Sequence, residues 1–142
     1  MIVLDTIVLA YAVGTDHPLR DPCRRLLVAH AEGRIEATTT VEVIQEFVHI
    51  RARRQPRQEA VQLARRYLLA FTLLVTTADD LERGLDLFGE NPQVGAFDAV
   101  LAAVAMAHDA DALVSADRAF ASIAGLPFVD PATPDLARLI GS

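Results

Sequence analysis

Residues 96–117, AFDAVLAAVAMAHDADALVSAD, decide the fold. Ala96–His108 is apolar on nearly every face, which marks a helix buried against a sheet rather than one lying on a surface. Ala112–Ser115 follows as a strand, and Asp117 stands two residues beyond it, where a short helix to Ala121 begins.

The same alternation extends outward in both directions. Met1–Leu4 is a β-branched run ending at Asp5 and reads as a buried strand. Thr6–Val13 predicts a short helix stopped by Gly14. Asp21-Pro22 predicts a second helix, with Asp21 as N-cap and Pro22 at its first position, ended by Gly33. Ile35–Ala37 is a second strand, and Thr38-Thr39-Thr40 starts a third helix carrying Val41, Ile44 and Val48 on one side. Arg57–Ala70 is a fourth helix and Phe71–Val75 a third strand. Thr77–Phe88 is a fifth helix, closed by Gly89 and Asn91-Pro92. After Ala112–Ser115, Pro127–Val129 supplies the last of five strands, and Pro134–Ile140 a terminal helical turn. Strands alternating with helices predict an α/β fold with a mostly parallel central sheet, as one domain over residues 1–142.

Composition narrows the chemistry. With 142 residues, 52% apolar and 23% charged, the chain has enough apolar side chain for a core. Its longest strictly apolar run, Ala99–Ala107, falls far short of the roughly 20 residues that cross a bilayer, so no membrane association is expected. The opening MIVLD lacks the basic region of a secretory signal, and a cytoplasmic location is the expectation. A single cysteine, Cys23, excludes an internal disulfide framework and a cysteine-based zinc cluster. There is no lysine, which excludes a P-loop, a Schiff-base enzyme and a receiver-type phosphoacceptor. A net charge of −6 is adverse for binding nucleic acid. Yet Arg51, Arg53, Arg54, Arg57, Arg65 and Arg66 are opposed in their stretch only by Glu59, so the acidic excess lies elsewhere.

Much of it lies at strand-to-helix junctions. Asp5 and Asp117 each follow a strand and precede a helix, and in a parallel sheet both points lie at the carboxyl edge, where ligands of open α/β folds sit. Asp98 falls in the first turn of the buried helix. Each acid alone is explained by helix capping and the helix dipole. Together they would repel one another unless a cation sits between them. An oxygen-only cluster favours a hard divalent ion such as Mg²⁺ or Mn²⁺, which can activate water and stabilise charge at a phosphodiester. Glu42 and Glu46 share a face of the third helix; Glu46, flanked by Val43, Phe47 and Ile50, is the better fourth carboxylate, and Glu42 reads as surface acid. Four acids in one site take up most of the net charge, which reconciles an acidic protein with a polyanionic substrate.

Leu4-Asp5-Thr6, Val43-Ile44-Gln45-Glu46-Phe47, Phe97-Asp98-Ala99 and Ser115-Ala116-Asp117-Arg118-Ala119-Phe120 together resemble the PIN domain, most closely the VapC-type toxins of bacterial toxin–antitoxin pairs. The resemblance runs along the whole chain, with the motifs in order. It implies a Mg²⁺-dependent endoribonuclease, usually homodimeric, inhibited by a small cognate antitoxin. It also implies that Asp5, Glu46, Asp98 and Asp117 form the metal site and the catalytic set. Ile7 departs from the pattern, since the family often has a small hydroxyl residue there; Thr6 can supply that hydroxyl, and Ser115 can bond a carboxylate or a phosphate.

Two other activities fit the same motifs: a PIN nuclease of RNA maturation without a toxin role, and a binding module that has lost its metal, although intact acids at all four positions oppose the second. Arg51, Arg53, Arg54 and Arg57 either contact RNA or merely favour a helix end. The four histidines show no metal-ligand spacing, and Cys23 reads as packing. An apolar surface on the early helices is the expected seam of a homodimer.

Overall fold

The computed structural model of the chain describes residues 1–141. At its centre is a four-stranded sheet formed by β1 (Ile2–Leu4), β2 (Ala37–Thr38), β3 (Ala112–Val114) and β4 (Phe128–Val129), in the spatial order β2-β1-β3-β4. Every pairing is parallel: Ile2 lies opposite both Ala37 and Ala112, and Leu113 opposite Phe128. β1 and β3 are buried along their whole length, as expected of parallel strands covered by helices. Around the sheet pack α1 (Thr6–Val13), α2 (Arg20–Ala31), α3 (Val41–Arg51), α4 (Arg57–Ala70), α5 (Ala78–Glu90), α6 (Ala96–Ala107) and α7 (Asp135–Ile140), with a 3₁₀ turn at Arg118–Ser122. The α/β architecture with a parallel sheet is the one the sequence predicts.

The decisive helix behaves as its composition requires. Ala99 and Leu101–Ala105 of α6 are all buried. Its outer neighbour α5 approaches unusually near, because Gly84 presents no side chain to Val100. A Cβ at position 84 would stand 2.6 Å from Val100 Cγ2 and 2.8 Å from its Cα, closer than atoms pack. The α5 N-terminus is fixed by a capping box in which Thr77 accepts from the Asp80 N–H and Asp80 accepts from the Thr77 N–H.

Three local expectations need correction. Phe71–Val75 is not a strand: it makes one parallel bridge, Thr40 with Leu74, and the sheet has four strands rather than five. Phe71 instead ends α4 and buries its ring against Tyr67, while Thr38 Oγ1 donates to the Thr72 carbonyl at 2.6 Å, taking an acceptor that a ladder would need. The second helix opens earlier than Asp21-Pro22. The backbone bonds Arg20 N–H to His17 O and Cys23 N–H to Leu19 O start it at Arg20, leaving Asp21 and Pro22 inside the first turn, where a missing N–H costs no intrahelical bond. α5 runs through Gly89 to Glu90 and closes where the Asn91 N–H and side-chain amide both donate to Leu87 O.

Candidate active site

The junctions that carry acid side chains meet at the carboxyl edge of β1 and β3. Asp5 follows β1 directly, and its N–H donates to Val114 O on β3 at 3.1 Å. Asp5 is 8% exposed and each carboxylate oxygen is held by one donor: Oδ1 accepts from the Thr6 N–H at 2.7 Å, capping α1, and Oδ2 accepts from the Ser115 hydroxyl at 2.6 Å. Ser115, itself wholly buried, accepts in turn from the Asp117 N–H at 3.0 Å. One hydroxyl therefore couples the ends of two neighbouring strands. Asp117 is exposed and caps the 3₁₀ turn through the Ala119 N–H at 2.9 Å.

Glu46 and Asp98 arrive from helices. Thr40 caps α3 by accepting from the Val43 N–H, and Glu46, half-buried, lies in the second turn. Asp98 lies in the first turn of α6, whose N-cap is Gly95. The electrostatics bind the four into one unit. Burial, then the negative charges of Asp5, Asp117 and Glu46, push the Asp98 carboxyl up to about 7. Burial also raises Asp5, opposed by its bonds from Ser115 and Thr6 and reinforced by Asp117. Glu46 is raised by burial and by Asp5, with Thr6 and His49 acting the other way. The Thr6 hydroxyl is buried without a well-formed hydrogen bond, though it lies near enough to favour the charged form of Glu46. Among the described residues, no three His, Cys, Asp or Glu side chains are grouped closely enough to hold an ion as they stand. The acids share a field without closing into a cage.

Asp5, Glu46, Asp98, Asp117, Thr6 and Ser115 are thus brought to one edge. The arginines divide. Arg51 is committed to Glu59, bonding it through Nε at 3.0 Å and tying α3 to α4. Arg53, Arg54 and Arg57 are exposed in and just after the turn between those helices. Glu42 is half-buried rather than a surface acid; it accepts from the Thr76 hydroxyl and lines a cavity of about 520 Å³ with Phe97. Sequence reasoning passed over His49, whose separation of three residues from Glu46 on a helix puts the two side chains on one face. It also treated the three threonines only as a helix start, whereas Thr39, 0% exposed, donates its hydroxyl to Leu4 O at 2.6 Å. Cys23 is buried and its thiol is pushed up to about 12, which suits packing and not nucleophilic work.

Comparison with known proteins bears on the fold and the family. The PIN domain family model matches residues 2–126. Ribonuclease VapC7 of Mycobacterium tuberculosis is 51% identical over an alignment of 143 positions, covering 99% of each chain. Ribonuclease VapC13 of the same organism is 33% identical over 128 positions, 89% of this chain and 97% of its own. Among solved structures, VapBC2 from Rickettsia felis bound to a DNA fragment from its promoter superposes with a TM-score of 0.74 at 20% identity, over 92% of this chain and 98% of that one. A toxin–antitoxin complex from Klebsiella pneumoniae gives 0.70 at the same identity and the same coverage. At 20% identity these structures speak to the fold. With the family model matched along most of its length and a 51%-identical relative spanning nearly all of it, the chain belongs to the PIN-domain family, in its VapC branch.

Proposed function

We propose that this chain is a metal-dependent endoribonuclease and the toxin of a VapBC-type toxin–antitoxin pair. The observation that carries the reading is the convergence of Asp5, Glu46, Asp98 and Asp117 at one sheet edge, where burial, reinforced by the charges of the other three acids, holds the Asp98 proton to about 7. The name of VapC7, a ribonuclease alike along nearly its whole length, supports the same activity. The donor set suits Mg²⁺ or Mn²⁺: all carboxylate oxygens, with the unsatisfied Thr6 hydroxyl beside them and no soft ligand nearby. Those four acids would hold the ion, which when bound supplies charge neutralisation at a phosphodiester and activation of water.

The remaining work falls to the chain itself. Ser115 keeps one oxygen of Asp5 oriented and holds the backbone of Asp117 in register with it. The Thr6 N–H holds the other oxygen of Asp5, so this carboxylate cannot swing away as charge accumulates. Arg53, Arg54 and Arg57 offer exposed guanidinium groups to the phosphates of an RNA strand, compensating for the overall negative charge.

Two apolar surfaces suit the two protein partners of this reading. Leu27, Tyr67 and Phe71 line a cavity of about 320 Å³ between α2 and α4, next to exposed Val28, Leu68 and Leu69; it suits an apolar segment of a cognate antitoxin. Leu81, Leu85 and Phe88 are all exposed on α5 at helical spacing, with Phe97 also exposed, a face suited to a second copy of the chain. On this reading the homodimer seam lies on α5, in place of the early helices expected from the sequence.

The test is incubation of the purified protein with total RNA and Mg²⁺ or Mn²⁺, followed by mapping of new 5′ ends. Cleavage should stop in excess EDTA and in Asp5→Asn, with circular dichroism checking that the variant keeps its fold. Undiminished cleavage under either condition refutes the metal-site reading.

A further inference from the structure

Asp5 and Glu46 sit on elements separated by the whole α1–α2 crossover, yet one side chain touches the first element and leads directly into the second. The peptide between Leu4 and Asp5 is gripped from both sides. Its N–H donates to Val114 O on β3, and its carbonyl accepts from the buried hydroxyl of Thr39 at 2.6 Å. The β1–β2 ladder has ended by then, its last register pair being Val3 with Thr38. The Thr39 side chain therefore fills a position that no main-chain donor of β2 occupies. Thr39 is also held by its own carbonyl, which accepts from the Leu74 N–H at 2.9 Å. The next residue, Thr40, is the N-cap of α3, which carries Glu46.

From this joint we infer that Thr39 is a positioning residue of the acidic site: its hydroxyl sets the spacing of Asp5 from Glu46 and thereby the affinity for a divalent ion. The inference rests on the metal-site reading proposed for the four acids. A buried hydroxyl bonded to a carbonyl can be removed without changing side-chain shape by Thr39→Val, and kept by Thr39→Ser. Thr38 supplies a matched control on the preceding residue. It is also buried, and its hydroxyl donates at 2.6 Å to Thr72 O, outside the acidic cluster, with a second, longer bond to Thr39 O at 3.4 Å.

The experiment is calorimetric titration of Mn²⁺ into metal-free wild type, Thr39→Val, Thr39→Ser and Thr38→Val, each at a temperature well below its own melting point. Groups that orient metal ligands typically change affinity about 10- to 100-fold when removed. Thr39→Val should accordingly bind Mn²⁺ about 10-fold more weakly than wild type, with Thr39→Ser recovering to within about 3-fold. Thr38→Val should melt lower than wild type, as Thr39→Val does, yet keep wild-type affinity. Equal loss of affinity in the two valine variants overturns the inference, because a general loosening of the sheet edge would then explain both. Unchanged affinity in Thr39→Val, or no recovery with serine, overturns it as well. Absence of Mn²⁺ binding by wild type would instead remove the metal-site reading beneath it, a result distinct from the others because no variant comparison is involved.

Discussion

Asp98→Asn should make the metal-free protein more stable, by a margin that grows as pH rises from about 4 and levels off above about 7. The folded carboxyl keeps its proton up to about 7, whereas an unperturbed one releases it near 3.8. Between those values the unfolded chain binds fewer protons than the folded one, so wild-type stability falls as pH rises through the window and levels off above it. At about 1.36 kcal/mol per pH unit the whole shift corresponds to roughly 4 kcal/mol. Solvent reaches Asp98, and screening reduces that to about 2 kcal/mol. Asparagine also forgoes the attraction of the α6 N-terminus for a negative charge, up to about 1 kcal/mol, which works against the gain. The net is a variant more stable by about 1 kcal/mol at about pH 8, or roughly 3 °C in Tm for a chain of this size. Near pH 4, where both residues are uncharged, the difference should vanish. Thermal melts in EDTA across this range measure it, with a Mg²⁺ series alongside in which wild type gains more than the variant. A variant no more stable than wild type at alkaline pH, or a gap that does not close on acidification, would refute the reading that burial and the neighbouring acids hold the Asp98 proton.

Other outcomes arise from the packing and the surface. Gly84→Ala should destabilise the fold by about 1–3 kcal/mol in urea titrations, because its Cβ would meet the backbone of Val100 as well as a movable methyl. Changing Arg53 and Arg54 together to Ala should weaken RNA binding and flatten its salt dependence by about 0.7 in slope for each lost phosphate contact, with Mn²⁺ affinity unaltered; unchanged slope would leave these arginines as solvated side chains. Light scattering should find a dimer at tens of micromolar for wild type and a monomer for Leu85→Glu, since a charge in the middle of the α5 stripe cannot be buried cheaply.

The sequence was most informative where local chemistry and fold agree. α4 has the boundaries its pattern predicts, Thr40 caps α3, Asp5 caps α1 at the end of β1, and Asp117 caps the 3₁₀ turn beyond β3. Phe71–Val75 misleads because an apolar β-branched run does not say whether a neighbour has main-chain groups free to pair. β2 is two residues long, and the Thr38 hydroxyl takes the Thr72 carbonyl. The coupling of Asp98 to three other acids is legible only in part. Each acid shows its junction, but their meeting depends on β1 lying between β2 and β3, an order no local pattern encodes. Glu42 shows the reverse: a helix-face acid that reads as solvated because its partner, Thr76, lies beyond the next helix.

The pairing of β1 with β3 has a bearing on the life of the nascent chain. Ile2 leaves a ribosome well before its partner Ala112, which lies about 110 residues further along the chain. Pairing over such a separation is slow and is completed late, since the intervening loop must close before any contact rewards it. Synthesis proceeds from the N-terminus, so β1, α1, α2 and β2 can gather while Asp5 still lacks Ser115, and while neither Asp98 nor Asp117 exists. An unfinished or prematurely terminated chain therefore carries part of the acidic edge and none of its assembly.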